Sequence, residues 1–150
     1  MDRLDRELLA LLQEDATQSY ATLGKAVGLS TTAAHERIRK LREAGVLRRT
    51  TVEVDPVACG CPVSAFALVD GTAWMGEAAV GEALAEIPEI EQAHIVAGTA
   101  SLLVKIRAAS NEQLQQVLRR IYDIDGVTGT KTLVVLETFF ERAFDPRGHE

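Results

Sequence analysis

Residues 19–49 read SYATLGKAVGLSTTAAHERIRKLREAGVLRR, and this stretch decides the fold of the N-terminal part of the chain. A short segment with apolar periodicity leads to a Gly-Leu-Ser turn at residues 28–30. A basic segment follows and ends in Ala-Gly-Val-Leu at residues 44–47. Glycine ends a helix by supplying a left-handed C-cap, and serine begins the next helix as its N-cap. The stretch therefore predicts a helix-turn-helix.

The helical periodicity predicts three helices in this region, at about Arg3–Asp15, Tyr20–Val27 and Thr31–Ala44. On a wheel of 100° per residue, the apolar side chains of the third helix fall on one stripe, whereas its polar side chains fall on the opposite face. We expect Ala34, Ile38 and Leu41 to be buried. The residues that follow, Val46–Val54, are predicted to be extended, as a wing or strand.

Charge is concentrated in the same region. Between residues 31 and 52 there are six lysines and arginines against two glutamates, whereas residues 61–150 carry seven basic and thirteen acidic side chains. The net charge of −6 argues against a protein that coats nucleic acid indiscriminately, but it allows one basic DNA-reading helix. The predicted DNA-binding residues are Ser30, Thr31, Thr32, His35, Arg37, Arg39, Lys40, Arg48 and Arg49.

Two of these residues have a second interpretation. Arg37 flanks the apolar stripe, so it could pair with an acid instead of a phosphate. His35 faces outward and could read a base or simply be solvated, since histidine is not a leading reader of base edges.

Breaker residues at Asp55-Pro56 and Gly60-Cys61-Pro62 predict the domain boundary, although one continuous domain is the alternative. We assign residues 1–50 to the helix-turn-helix domain and residues 51–61 to a linker or extended strand. Residues 62–140 form the second predicted domain, to which the family resemblance described below assigns effector binding and oligomerisation, and residues 141–150 form a polar, mobile tail.

The second half alternates strand and helix patterns in the order β-α-β-β-α-β, which predicts a ferredoxin-like unit and an α+β fold overall. Helices on one face of an antiparallel sheet leave the other face open, so we expect self-association. The predicted strands are Val63–Val69, Glu91–Ala97, Leu102–Arg107 and Thr130–Thr138, and the predicted helices are Met75–Ile87 and Asn111–Tyr122.

Other functions find little support in the sequence. No apolar run is long enough for a membrane span, and the charged N-terminus has no signal-peptide core, so we expect a cytoplasmic protein. Cys59 and Cys61 are the only cysteines, too few with three scattered histidines for a convincing metal site. No phosphate loop or nucleophile motif is present, so neither an enzyme nor a cofactor is expected.

The chain resembles the Lrp/AsnC (leucine-responsive regulator/AsnC) family of transcriptional regulators. Residues 1–5 are similar to the family opening Leu-Asp-x-x-Asp, with Met1 in place of leucine. Residues 23–30 resemble Leu-Ala-x-x-x-Gly-Leu-Ser, and residues 36–47 match Glu-Arg-(Val/Ile)-x-x-Leu-x-x-x-Gly-(Val/Ile)-(Ile/Leu). The resemblance implies a winged helix-turn-helix domain followed by an ACT-like (RAM) domain. It also implies double-stranded DNA and an amino-acid-like effector as partners, and a homodimer that assembles further, for example into octamers.

One departure from the family concerns the effector. The family commonly has Gly-Asp-x-Asp in the turn between the second and third strands, where the turn lines an amino-acid pocket between subunits. Here hydroxyl side chains replace both acids, and a hydroxyl pairs more weakly with an ammonium group than a carboxylate does. The effector could therefore differ from a typical amino acid, bind less tightly, or have lost its pocket. The resemblance implies effector contacts at Gly98, Thr99, Ala100, Ser101, Thr130 and Thr132.

Two other functions stay open at this point. Sirohaem decarboxylases look like this family, but the outward basic set here, with only His35 and His94 to serve a tetrapyrrole, favours a regulator. The other alternative is an oligomeric ligand-sensing module that does not bind DNA. Salt-dependent DNA affinity distinguishes the regulator from both.

Overall fold

The structure is a computed structural model that describes residues 1–72 and 74–148. The chain forms two compact units. The first contains Met1–Glu53 together with Phe140–Glu150, and the second contains Val54–Phe139.

The first unit contains three helices: α1 (Arg3–Glu14), α2 (Tyr20–Val27) and α3 (Thr31–Glu43). The predicted bounds agree within one residue, because each helix begins at a strong N-cap whose side chain accepts a backbone hydrogen bond. The three helices enclose a small core built on Leu8, Leu23 and Ile38. The caps therefore set where each helix begins, and the apolar stripes hold the helices together.

The turn between α2 and α3 depends on two glycines. Gly28 has a φ of 75°, the left-handed conformation predicted for it at the C-cap of α2. Gly24 allows close backbone approach, since a Cβ there would lie 2.8 Å from the carbonyl oxygen of Leu29. The amide of Leu29 donates a 2.8 Å hydrogen bond to the carbonyl of Gly24. The turn thus folds tightly against α2 and fixes the start of α3.

The predicted extended strand at Val46–Val54 is wrong. The amides of Val46 and Leu47 both donate to the carbonyl of Leu41, which closes the end of α3, and residues 48–55 then form no helix or strand. Val52 is 79% exposed. A strand needs a hydrogen-bonded neighbour, and the sequence between 46 and 54 has none in the described part of the chain.

The second unit has the predicted β-α-β-β-α-β order, and its four strands form one antiparallel sheet in the order β2-β3-β1-β4. Both helices cover one face of the sheet, as a ferredoxin-like unit requires. The elements are β1 (Val63–Gly71), α4 (Ala78–Ala85), β2 (Ile90–Ile95), β3 (Leu102–Ala108), α5 (Asn111–Tyr122) and β4 (Val127–Val134).

Only α5 has its predicted bounds, and two of the other elements, α4 and β4, begin three residues away from their predicted starts. The helix predicted from Met75 begins at Ala78, because Met75 is buried in the core and Glu77 serves as an N-cap without a side-chain hydrogen bond. The last strand begins at Val127, three residues earlier than predicted, because it pairs along β1 from Gly71 back to Ala65. Pairing with β1 sets the length of β4, and the apolar pattern of the sequence does not show this pairing.

Alternate side chains of β1 and β3 form the core of the second unit. Ala65, Val69, Val104 and Ile106 are fully buried against the two helices. The opposite face of the sheet has no covering layer within the described residues. Its apolar side chains are Phe66, Leu68 and Leu103, each half-buried, and Leu133, which is 60% exposed.

The C-terminal segment belongs to the first unit. Pro146 is buried, and its carbonyl oxygen accepts a 2.9 Å hydrogen bond from Nη1 of Arg6 in α1. The sequence predicts a mobile polar tail at residues 141–150. Up to residue 148 the segment instead has a defined place in the first unit, and residues 149 and 150 lie outside the described residues.

No helix in the ranges 1–72 and 74–148 is long and apolar enough to cross a membrane.

Replacing Ile106 with alanine should destabilise the second unit by about 2–5 kcal/mol, because the side chain is fully buried at the centre of the sheet. Chemical unfolding measures the difference. Leu136→Ala is the matched control, since Leu136 is 98% exposed and should change the free energy of unfolding by less than about 0.5 kcal/mol. Equal effects of the two substitutions would contradict the assigned core.

Candidate nucleic-acid interface and ligand site

The helix α3 presents its apolar stripe inward and its polar face outward, as the wheel predicts. Ala34, Ile38 and Leu41 are buried with 0%, 2% and 6% exposure. Thr32 and Lys40 are exposed. The narrow apolar stripe leaves most of the helix surface open to a second molecule.

The N-terminus of α3 carries hydroxyl side chains. Ser30 Oγ accepts a 3.2 Å hydrogen bond from the amide of Ala33 and so caps the helix. Thr31 and Thr32 are exposed beside it. Free amides and hydroxyls at a helix N-terminus suit phosphate oxygens, and the helix dipole favours negative charge there.

His35 lies one turn further along the outward face and contacts Tyr20 of α2. The two ring centroids are 4.7 Å apart, and the rings meet edge to face. The contact leaves His35 exposed. It places an aromatic pair next to the polar face of α3.

Arg37 forms ion pairs with two acids of α1, so its guanidinium is directed toward α1 and not toward the outward face. Its Nη1 donates to Oδ2 of Asp2 at 2.7 Å and to Oδ1 of Asp5 at 2.8 Å. The same two carboxylates form a capping box, in which each accepts the backbone amide of the other at 2.9 Å. The Asp5 amide and the Arg37 guanidinium hold the pKa of the Asp2 carboxyl below its usual value. The geometry therefore favours the ion-pair interpretation of Arg37 over phosphate contact.

Arg39 and Lys40 lie on the outward face but have acidic neighbours. Arg39 donates to both carboxylate oxygens of Glu36, at 2.9 and 2.6 Å, and also to Glu43. Lys40 Nζ lies 3.8 Å from Glu36. The two acids raise the pKa of the Arg39 guanidinium above its already high value. The positive charges of Arg39 and Lys40 are therefore balanced by acids of the same helix.

The unbalanced positive charge of the first unit lies elsewhere. Arg48 and Arg49 are exposed, and neither forms an ion pair within the described residues. The same is true of Arg42 and Lys25, which the sequence reasoning did not select. Arg42 follows Arg39 by three residues and has no acid three or four positions away, a signal that the sequence did contain. Arg42, Arg48 and Arg49 thus carry free cationic groups near the end of α3.

The candidate ligand turn joins β2 to β3. Gly98 has a φ of 147°, which favours glycine, and Thr99 is exposed. The amide of Ser101 donates a 3.0 Å hydrogen bond to the carbonyl of Val69 on β1. The turn is therefore attached to the end of the central strand.

Thr130 and Thr132 lie on the far side of β1 from this turn. Thr130 pairs with Val69, so the backbones of Ser101 and Thr130 flank one strand at a separation of roughly 10 Å. The amide of Thr130 donates to the hydroxyl of Tyr122 at 3.2 Å. The structure thus brings these predicted residues to one end of the sheet, with β1 between them.

The described residues of the second unit line at least two cavities. One of about 240 Å³ lies between α4 and β2, and its lining includes Ile95 and Leu102, which flank the ligand turn. The other, of about 600 Å³, opens between α4 and α5 beside Arg120 and Asp123. Only the first adjoins a predicted site.

The cysteines form no disulfide with each other: Cys59 is exposed and Cys61 half-buried. Within residues 1–72 and 74–148, no three metal-ligating side chains come close enough to hold a metal ion.

Comparison with known proteins supports the same two-part architecture. Residues 1–42 match the model of the AsnC-type helix-turn-helix domain, and residues 68–143 match that of the Lrp/AsnC ligand binding domain. The HTH-type transcriptional regulator FL11 of Pyrococcus horikoshii is 38% identical over 94% of this chain and 93% of its own length. These matches define a helix-turn-helix transcriptional regulator with a ligand-binding domain.

Comparison with solved structures supports the same two-part architecture. The structure of Escherichia coli AsnC has a TM-score of 0.85 at 31% identity, and the match covers 97% of this chain and 99% of that one. A Neisseria meningitidis transcriptional regulator solved as a complex with L-Met has a TM-score of 0.86 at 21% identity, over 94% and 93% of the two chains. The second likeness concerns the fold alone. The chain belongs to the Lrp/AsnC family of transcriptional regulators, which confirms the resemblance in the sequence.

Replacing Arg37 with methionine should lower the melting temperature at about pH 7, because Asp2 and Asp5 would lose their shared counter-charge. A carboxylate with a lowered folded-state pKa stabilises the protein above its ordinary pKa, and this contribution is lost as the pH falls through the lowered value. The difference between the wild type and R37M should therefore shrink below about pH 4.

Thermal melts across that pH range measure the effect. Arg3→Met is the matched control, because Arg3 pairs only with Glu7 one turn away on an exposed surface. A melting temperature for R37M equal to that of R3M at every pH would show that the tie between α1 and α3 is not stabilising.

Proposed function

We propose that this regulator binds DNA by placing α3 in the major groove. The observation that carries the proposal is the outward polar face of α3 followed by cations without acidic partners. The hydroxyls at the start of the helix would contact phosphate, His35 and Arg39 would face base edges, and Lys40, Arg48 and Arg49 would contact the flanking backbone. Of the nine residues predicted from the sequence, Arg37 is the one whose ion pairs favour a supporting role.

We further propose that the protein is a homodimer that forms through the open face of its sheet. Phe66, Leu68, Leu103 and Leu133 form an apolar surface there, which a second copy would bury. A two-fold dimer would read two half-sites about one helical turn apart, roughly 34–36 Å, or a multiple of that distance. By family resemblance, dimers would assemble further, for example into octamers, in the cytoplasm.

The ligand-binding domain is proposed to take an amino acid or a related metabolite at the turn Gly98–Ser101. The hydroxyls of Thr99 and Ser101 can accept hydrogen bonds from an ammonium group, and Thr130 and Thr132 lie at the same end of the sheet. The N. meningitidis neighbour solved with L-Met shares this fold. Binding would shift the equilibrium between assemblies and so the spacing of the DNA-reading helices.

The DNA-binding proposal is tested first on the DNA upstream of the protein's own gene, at two or more salt concentrations. Arg48→Ala should weaken binding and reduce the slope of log affinity against log salt by about 0.9, the value for one phosphate contact. Lys40→Ala should act in the same direction. Arg3→Met serves as the control, because it removes a cation on α1 that is paired with Glu7. An unchanged slope for R48A would remove Arg48 from the phosphate contacts.

The dimer proposal is tested by light scattering on Leu133→Glu. The side chain is largely exposed, so the charge should be tolerated in the folded protomer but not in an apolar interface, and the mass should fall toward that of a monomer. Ala79→Glu on the exposed side of α4 is the matched control and should keep the wild-type mass. Equal masses for the two variants would place the interface elsewhere.

The effector site is tested by Thr99→Asp, which restores an acid that is common in the family. Calorimetric titration with a pool of amino acids should show tighter binding for the variant than for the wild type, since a carboxylate pairs with the α-ammonium group. If the variant binds no amino acid, the turn is not the pocket.

A further inference from the structure

Each of the three guanidinium nitrogens of Arg39 donates a hydrogen bond to a carboxylate of its own helix. Its Nε and Nη2 form a two-point contact with Glu36 at 2.9 and 2.6 Å, and its Nη1 donates to Glu43. A fork of parallel hydrogen bonds is the strongest geometry that an arginine and a carboxylate form. Two of the five N–H groups of Arg39 are not used in these contacts, but a phosphate that approaches them also approaches the carboxylates of Glu36 and Glu43, which repel it.

The central outward face of α3 is therefore electrically neutral. Two cations, Arg39 and Lys40, are balanced there by two acids, Glu36 and Glu43. Binding to DNA of any sequence derives from phosphate neutralisation, so a neutral helix face gains little from it. The carboxylates also face the phosphates of any duplex that the helix approaches, which is a repulsive contact.

A base edge can replace Arg39 as the partner of a carboxylate. In the major groove only cytosine and adenine present an exocyclic amino donor, and Glu pairs with the N4 amino group of cytosine. Glu36 is the better placed of the two acids, because it lies on the second turn of α3 whereas Glu43 is its last residue. The N-terminal part of a recognition helix is the part that contacts bases.

We propose that Glu36 is a specificity-determining residue: it holds Arg39 on the helix in the free protein and releases it when a cytosine amino group takes its place. On an operator with cytosine at that position, Glu36 binds the base and Arg39 becomes available to a phosphate or guanine. On DNA that has another base at that position, the ion pair between Glu36 and Arg39 remains intact. This inference rests on the proposed docking of α3 in the major groove.

Four proteins test the first part: the wild type, Glu36→Gln, Arg39→Ala and the double variant, each titrated with a duplex of random sequence. In the wild-type background, E36Q should tighten this binding by about threefold to tenfold, since exposed ion pairs of this kind are weak individually and two are altered. It should also steepen the salt slope by about 0.9, because Arg39 gains a phosphate. In the R39A background, E36Q should change both quantities less, because only the Lys40 contact and the repulsion between the carboxylate and phosphate remain to be removed.

Selection from a randomised DNA library tests the second part. The wild type should select cytosine at one position of each half-site, and E36Q should lose that preference or exchange it for adenine, which glutamine pairs with. Glu14→Gln, an exposed neutralisation at the end of α1, is the control and should select the wild-type sequence.

Each possible result shows which of the proposals fails. An equal gain from E36Q with and without Arg39 would mean that Glu36 only repels phosphate, and the holding role would be overturned. An unchanged selected sequence for E36Q would overturn the base contact. If the wild type selects a sequence, sequence-specific DNA binding stands whichever way E36Q behaves. If it selects none, the docking proposal fails together with this one.

Discussion

The N-terminal unit depends on one constraint, which is that α3 buries only a narrow apolar stripe and leaves most of its surface exposed. Three side chains, Ala34, Ile38 and Leu41, supply its apolar contact with the unit. A helix that is held only by a narrow apolar stripe is restrained less against rotation about its own axis than against displacement. The ion pairs of Arg37 with Asp2 and Asp5 act at the side of the stripe and oppose such rotation.

This arrangement gives the acids of α1 two roles at once. The carboxylates of Asp2 and Asp5 satisfy the first amides of α1 and hold the guanidinium from α3. A change in either acid would therefore alter the end of one helix and the orientation of another. The ion pairs of Asp2 and Asp5 with Arg37 therefore link the first residues of the sequence to α3, which carries the candidate DNA-binding surface.

The second unit is organised by a different requirement, the covering of one sheet face. Alternate small and branched residues of β1 and β3 pack under the two helices, with Ala65 and Ala67 opposite Ile106 and Val104. Their neighbours in sequence point to the uncovered face. The alternation that builds the core thus also builds the apolar surface proposed for dimer formation.

The sequence predicted those features that local chemistry determines. Serine and aspartate caps and the glycine at residue 28 marked the helices of the first unit to within a residue, and the wheel identified the buried stripe of α3. The sequence could not show which strands or side chains pair with one another. The segment 46–54 has the composition of a strand but no neighbour to pair with, and β4 begins where β1 allows. The spacing of Arg39 from Glu36 and Glu43 permits ion pairs on a helix, but the two-point contact with Glu36 needs side-chain conformations that a wheel does not contain.

The return of residues 140–148 to the first unit has a consequence for how the protein is made. The carbonyl of Pro146 that Arg6 binds is synthesised more than a hundred residues after α1. The three helices precede this residue in synthesis, and their contact with it cannot form until residue 146 has emerged from the ribosome. The N-terminal unit is therefore discontinuous in sequence, and its closure waits until the second unit has been synthesised.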